Sequence, residues 1–297
     1  MKLKPAIQIA GAINIIVALA LIFPLAVSII YRDGDAKVFI YSILLSAAVG
    51  LVMFLGFKTP GHEISHREGF VIVSFSWISG AFFCATPFIF SGLFPSFVDC
   101  IFESVSGLTT TGASILTDIE SLPHGILFWR SMIHWLGGVG IVLFSLAILP
   151  LLGVGGMQLY KAEASVVGAD RFTSRVKEMA RIILVVYLVF SVILTVLLKL
   201  SGMSLFDSLI HMFGTVSTGG FSSHGASVAY FDSAYIETII TIFMILGATN
   251  FALHYNFFKQ GFKVYTKNAE FRFYIFLMAA ATVAVTINLS GGAGGIG

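Results

Sequence analysis

The chain has 297 residues, of which 57% are hydrophobic and only 11% charged, against roughly 25% charged in an ordinary soluble domain. Together with a mean hydropathy of +0.96, this excludes a soluble globule and points to an all-α membrane protein with several spans. The net charge of +2 comes without a basic tract, so there is no basis for nucleic-acid binding.

Lys2 and Lys4 precede an apolar run that resembles a signal peptide. The run continues to about Ile30 without a small-residue cleavage site and reads as a retained first helix. Further apolar runs follow, and the full set is about 6–30, 38–57, 70–91, 125–152, 180–200, 233–258 and 271–289. Each reaches the ~20 residues needed to cross a hydrocarbon layer of about 30 Å, so seven spanning helices are expected. Two stretches, 96–108 and 204–216, are too short to cross and each ends in a Thr/Gly cluster. They read as re-entrant half-helices followed by non-helical backbone. Cys84 and Cys100 lie in or beside apolar runs and form neither a disulfide framework nor a metal motif.

Basic residues concentrate in cytoplasmic loops. Thirteen of the 17 fall on one side of the predicted spans, and only Arg32, Lys37, Arg130 and Lys199 fall on the other. The N-terminus is therefore expected in the cytoplasm, with both half-helices entering from outside, where Asp118, Glu120 and Asp232 form an acidic mouth that favours cations.

An internal repeat appears when Asp99 is laid on Asp207, an offset of 108 that also places Gly112 on Gly220. Each copy has a span before its half-helix and another after the loop. The expected organisation is a two-helix extension at 1–66, a first repeat at 67–165, a second at 166–265, and the opening helix of an incomplete third at 266–297.

A dehydrated alkali cation needs oxygens to replace its water shell, and backbone carbonyls supply them without charge. Thr109-Thr110-Thr111-Gly112 and Ser217-Thr218-Gly219-Gly220 have suitable chemistry. Glycine tolerates positive φ and lets carbonyls turn toward one line, and the partially negative C-terminal end of each half-helix favours a cation beyond it. Asp99 and Asp207, near the opposite ends, are expected to cap exposed N–H groups. A single such cluster also fits an ordinary glycine helix stop. Two in equivalent positions favour carbonyl filtering.

The run 106–163, with SGLTTTGAS, LPHGILFWRSMIHWLGGVGI and LPLLGVGGMQLYKAE, resembles the membrane subunit of the Trk-type potassium uptake system, within the Trk/Ktr/HKT superfamily. EISHREGF at 63–70, TVSTGGFS at 215–222 and NFALHY at 250–255 extend the likeness. The resemblance implies a potassium-channel-like fold of four helix–pore-loop–helix repeats around one pathway, usually with an extra helix pair in front. It maps the filter onto Thr110, Thr111 and Gly112 in the first repeat and Thr218, Gly219 and Gly220 in the second. It further implies potassium uptake across the bacterial inner membrane, by channel-like passage or symport, with potassium as cargo, no cofactor and no catalytic residue. A homodimer and a cytosolic nucleotide-binding regulatory subunit are implied partners, beside membrane lipid, with the basic connection at 161–181 a reasonable docking surface. Only two of the four repeats are complete here, so a truncated or partial gene product is expected, and an inactive structural fragment is a further reading.

His62-Glu63-Ile64-Ser65-His66 satisfies H-E-x-x-H, which on a helix would make a zinc protease site. Its setting in a short polar connection after Pro60-Gly61 argues against that. Arg130 begins a helix at the outer interface and reads as snorkelling. Glu103 lies within the first half-helix and either attracts a cation or accepts hydrogen bonds behind the loop; its mismatch with His211 at the equivalent position favours support. His134 and His254 read as satisfied interior histidines, and His124 and His224 as loop residues without a partner at metal spacing. Gly137-Gly138-x-Gly140 suits close helix packing, and Gly153-x-Gly155-Gly156 suits a helix break after Pro150.

Overall fold

The structure is a computed structural model that describes residues 3–59, 65–148 and 167–292. Helix α1 (Lys4–Ala20) begins with proline in its first turn, where the missing N–H costs nothing. It runs through Leu21 into α2 (Ile22–Tyr31), and Lys4–Tyr31 makes one 28-residue span. Helix α3 (Ala36–Gly56) packs on α1, and so does α4 (His66–Ser91). Asn14 of α1 donates to Ser79 Oγ of α4 at 3.0 Å, a polar tie between helices in an apolar setting.

The start of α4 bears on the zinc reading. Ser65 caps the helix: its Oγ accepts from the Glu68 N–H at 3.4 Å, while the Glu68 carboxylate accepts from the Ser65 N–H at 3.1 Å. Ser65 itself is extended (φ −74°, ψ 161°). Helix α4 therefore starts at His66, with Ser65 outside it as the cap. His62, Glu63 and Ile64 lie outside the described residues, as do Pro150, the Gly153–Gly156 cluster and Lys161.

Next come α5 (Phe97–Leu108), α6 (His124–Ile148), α7 (Val167–Leu200) and α8 (Leu205–Val216). The two short ones, α5 and α8, have 12 residues each and coincide with the predicted half-helices. A 3₁₀ turn (Ser227–Phe231) leads to α9 (Ala234–Gly247), α10 (Phe251–Gln260), α11 (Lys263–Lys267) and α12 (Ala269–Gly292). Five helices among the described residues are long and apolar enough to cross a membrane unaided. Helix α6, the span expected at 125–152, extends to the edge of the described residues.

One expected span is broken. The run at 233–258 divides into α9 and α10, which meet at 99°. Asn250 is the reason: its side-chain oxygen accepts from the Ala252 N–H at 3.0 Å and starts a new helix. His254 holds the corner, with Nε2 2.9 Å from the Leu246 carbonyl and Nδ1 2.7 Å from the Tyr265 hydroxyl.

Helix α6 occupies the centre, packed against α2, α4, α5, α7 and α8. Its Trp129, Ile126 and Ile133 are fully buried. The Trp129 indole donates to the Cys84 carbonyl at 2.8 Å and the Trp135 indole to Ser191 Oγ of α7 at 2.9 Å. The indoles thus place large apolar surfaces without stranding their N–H groups.

The loops after α5 and α8 are tied together at their tips. The Gly225 N–H donates to Glu120 Oε1 at 2.8 Å, and His224 lies 4.0 Å from the same oxygen. The Gly225 N–H holds the Glu120 carboxyl below its usual range. A depressed carboxylate supports this tie above the pH at which a free glutamate titrates and releases it as pH falls through the lower folded value. Exchange of the Gly225 amide, corrected for intrinsic rate, should therefore accelerate on acidification through that window, and Glu120→Ala should show the fast rate already at neutral pH.

Candidate ion-binding loops

Both short helices begin and end alike. Ser96 and Ser204 are the N-caps, accepting from the N–H groups of Asp99 at 3.2 Å and Asp207 at 3.0 Å. This corrects the expected role of the two aspartates: they stand three residues inside, and their carboxylates accept from the capping hydroxyls at 2.8 and 2.6 Å. Serine reaches the freed N–H groups from just outside the helix, whereas an aspartate in the first turn acts through charge at the positive helix end.

At the C-terminal ends the main chain closes the same way twice. The Thr110 N–H donates to the Gly107 carbonyl at 3.0 Å and Thr111 N–H to Ser106 at 2.9 Å. At the offset of 108, Thr218 N–H donates to Thr215 at 3.1 Å and Gly219 N–H to Gly214 at 2.8 Å. This is the Schellman closure, which requires a left-handed residue just past the helix. Thr110 and Thr218 fill that position, each with φ of 56°. A β-branched residue there is a genuine outlier, costing on the order of 1–3 kcal/mol.

The glycines are therefore not the helix stops. Gly112 (φ 76°) and Gly220 (φ 95°) lie two residues beyond, and Thr111 and Gly219 between them do not share the positive φ. Left-handed residues at alternate positions are a backbone pattern that can turn successive carbonyls toward one side, where an ordinary strand alternates them. The two loops also touch. A Cβ on Gly112 would fall on the Gly219 carbonyl oxygen, whereas one on Gly220 would meet nothing within 4 Å. Thr218, Gly219 and Gly220 line an open cavity of about 710 Å³, with Ile240 and Met244 of α9 and Tyr274 of α12 among its other walls.

Behind the loops stands α6, and here Arg130 departs from expectation. It does not snorkel: it is 1% exposed. Its Nε donates to Glu103 Oε1 at 2.6 Å, its Nη1 to the Ser222 carbonyl at 3.3 Å, and Cζ lies 3.6 Å from the centre of the Phe221 ring. The carboxylate offered a buried partner, which snorkelling to water does not require and solvent cannot match inside the bundle. Glu103 also accepts from Ser114 Oγ at 2.9 Å and the Ile115 N–H at 3.2 Å, so it supports the first loop from behind, as the mismatch with His211 suggested. His211 makes the corresponding but longer contact, with Nε2 3.4 Å from Ser222 Oγ.

One turn further along α6, His134 stacks on Phe221 with ring centres 3.9 Å apart, and its Nδ1 accepts from the Phe221 N–H at 3.4 Å. Its Nε2 is buried without a hydrogen-bond partner among the described residues, so His134 is less fully satisfied than expected. Another turn along, Gly138 lets Ser217 approach; a Cβ there would be 3.0 Å from Ser217 Cβ. Gly137 lies under the Leu108 carbonyl in the same way, so the predicted close packing is used to seat the ends of α5 and α8. Arg130, His134 and Gly138 stand at i, i+4 and i+8, one face of a helix. A polar or small residue every fourth position within an apolar helix was the available signal for this contact.

The comparisons with known proteins agree with this architecture. Residues 35–289 match the model of the TrkH family, described as a cation transport protein. The chain is 40% identical to the Trk system potassium uptake protein TrkH of Salmonella typhimurium, over 97% of this chain and 60% of the relative. It is 34% identical to TrkG of Escherichia coli, over 91% of this chain and 56% of that relative. It superposes on the crystal structure of the potassium transporter TrkH from Vibrio parahaemolyticus with a TM-score of 0.84 at 34% identity, covering 94% of this chain and 57% of that one. The chain thus spans about 60% of the length of the curated relatives it matches. A half-helix closed twice by the same strained turn, within a helical membrane fold that superposes this well, leaves one assignment: the chain belongs to the TrkH family of cation transport proteins.

Proposed function

We propose that the loops after α5 and α8 supply two of the carbonyl-lined strands through which a potassium ion crosses the bacterial inner membrane into the cytoplasm. The ligands are the main-chain oxygens of Thr110, Thr111 and Gly112 and of Thr218, Gly219 and Gly220. The observation that carries this reading is the duplicated strain: the same threonine is held left-handed at both helix ends, with a positive-φ glycine two residues on. Strain retained twice in equivalent places is a mark of a functional constraint. The relatives whose names describe potassium uptake supply the choice of ion. A membrane potential supplies about 2.3 kcal/mol per charge per 100 mV, so inward movement of K⁺ needs no chemical step and no enzyme activity.

In this reading the N-terminus is cytoplasmic, following the distribution of lysine and arginine. The repeats divide as 1–66, 67–165, 166–265 and 266–297: α1 to α3, then α4 (from its second residue) to α6, then α7 to α10, then α12, with the last boundary falling within α11. The boundary at 165 lies outside the described residues. A homodimer and a cytosolic nucleotide-binding regulatory subunit complete the assembly, supported by the family likeness and by the basic connection at 161–181. A zinc protease has no such support. Among the described residues no three His, Cys, Asp or Glu side chains are grouped to hold a metal ion.

Two substitutions test the loops through ⁸⁶Rb⁺ uptake competed by K⁺ and Na⁺, in the complete gene product. Gly220→Ser adds a side chain where there is space and strains only the backbone, by roughly 1–3 kcal/mol; the protein should fold and discriminate K⁺ from Na⁺ less well. Gly112→Ser drives a side chain into the Gly219 carbonyl and should damage folding as well as selectivity. Wild-type discrimination by Gly220→Ser would remove the loops from the ion path.

Thr218→Gly separates strain from function. Relief of the left-handed threonine outweighs or balances the added freedom of glycine in the unfolded chain, about 0.5–1 kcal/mol. The melting temperature should therefore hold or rise while K⁺ over Na⁺ discrimination falls. A purely architectural turn would gain stability and leave discrimination alone.

A further inference from the structure

We propose that Arg130 is a positioning residue for ion selectivity: from behind the loops it braces the strand of the second repeat against that of the first. The inference rests on the reading of the loops as an ion filter and goes beyond it by naming what fixes the spacing of the two strands. A continuous chain of contacts runs from Ser114 and Ile115 through Glu103 and Arg130 to Ser222. Both of its ends lie just past the filter glycines. Ser114 and Ser222 are equivalent under the offset of 108, each two residues beyond Gly112 or Gly220.

The asymmetry between the repeats explains why an arginine is needed. In the first, Glu103 holds both a side chain and a main-chain N–H of the strand leaving the filter. In the second, His211 reaches only Ser222 Oγ, and at 3.4 Å. Arg130 adds a charged main-chain tether by donating to the Ser222 carbonyl, next to the longer one in which the Phe221 N–H donates to His134, and its planar group covers the Phe221 ring. A planar fork holds two acceptors at a fixed angle, which an ammonium cannot do.

Stability alone is a poor reason for this pair. Both side chains are almost entirely removed from solvent, at 2% and 0% exposure. Buried ion pairs are commonly replaced by apolar groups at no loss or with a gain. What an apolar replacement cannot do is hold the carbonyl of one strand and the carboxylate that anchors the other in a single rigid group.

Arg130→Lys keeps a cation for Glu103, so no charge is orphaned, but it removes the second arm and the flat contact with Phe221. In the complete gene product, reconstituted in liposomes, K⁺ over Na⁺ discrimination in ⁸⁶Rb⁺ uptake should fall roughly tenfold, the scale of one charge-assisted hydrogen bond. The melting temperature in detergent should stay near wild type. Should Arg130→Lys fail to fold, the double variant Glu103→Gln with Arg130→Met, which leaves no unpaired charge, takes its place with the same expectation. Unchanged discrimination in whichever variant folds overturns the proposal. Gly220→Ser measured alongside separates the two failures: if it lowers discrimination and the Arg130 variant does not, the brace alone is wrong, and if neither does, the filter reading has failed too.

Discussion

A main chain that leaves its helix within a membrane protein must find partners for every N–H and carbonyl it frees, because hydrocarbon offers none. This constraint shapes both loops. The Schellman closure recaptures the carbonyls at the ends of α5 and α8, at the expense of a left-handed threonine in each. Beyond it, the Ser106 hydroxyl donates to the Ala113 carbonyl at 2.5 Å and Glu103 accepts from the Ile115 N–H at 3.2 Å. Ser106 and Glu103 are thus engaged in holding the first turn. The carbonyls between the closure and these outer anchors are the ones proposed to face an ion.

The same constraint explains why so much of the centre of the bundle belongs to one helix. Helix α6 is part of the first repeat by sequence, yet it backs the second loop with Arg130, His134 and Gly138 and the end of α5 with Gly137. Two strained turns, each costing on the order of 1–3 kcal/mol, need a scaffold that over-determines them. A helix with a guanidinium, an imidazole and paired glycines on the faces it turns to the loops provides one. The tie between Glu120 and Gly225 closes the loops at their far ends, so they are joined at both tip and base.

Much of this fold was legible because length and hydropathy are coarse properties that tertiary context rarely overrides in a membrane chain. The half-helices at 96–108 and 204–216 agree with α5 and α8 to a residue, and the offset of 108 reappears in the main-chain hydrogen bonds. What escaped was decided by partners distant in sequence. Arg130 looked like an interface residue because Glu103 is 27 positions away and Ser222 is 92. The break at Ala248–Asn250 was hidden by apolar residues on both sides, although Asn250 carries the capping chemistry that makes it. The aspartates drew attention from the serines three residues before them, because the charge was more conspicuous than the hydroxyl that fits the cap.

The two repeats are alike in backbone and unlike in side chains, and the differences run in one direction. Where the first has Ser106 donating to Ala113, the second has Gly214 with the Phe221 carbonyl close against it. Where the first has Glu103, with three acceptor contacts, the second has His211 with a single longer one to its loop. Gly112 is wedged against its neighbour, while Gly220 borders open space and a cavity of about 710 Å³. A pathway walled by unequal strands does not need each strand to be rigid by itself. It needs one well-anchored strand and a stiff coupling to the next, which is the role proposed for the buried guanidinium between Glu103 and Ser222.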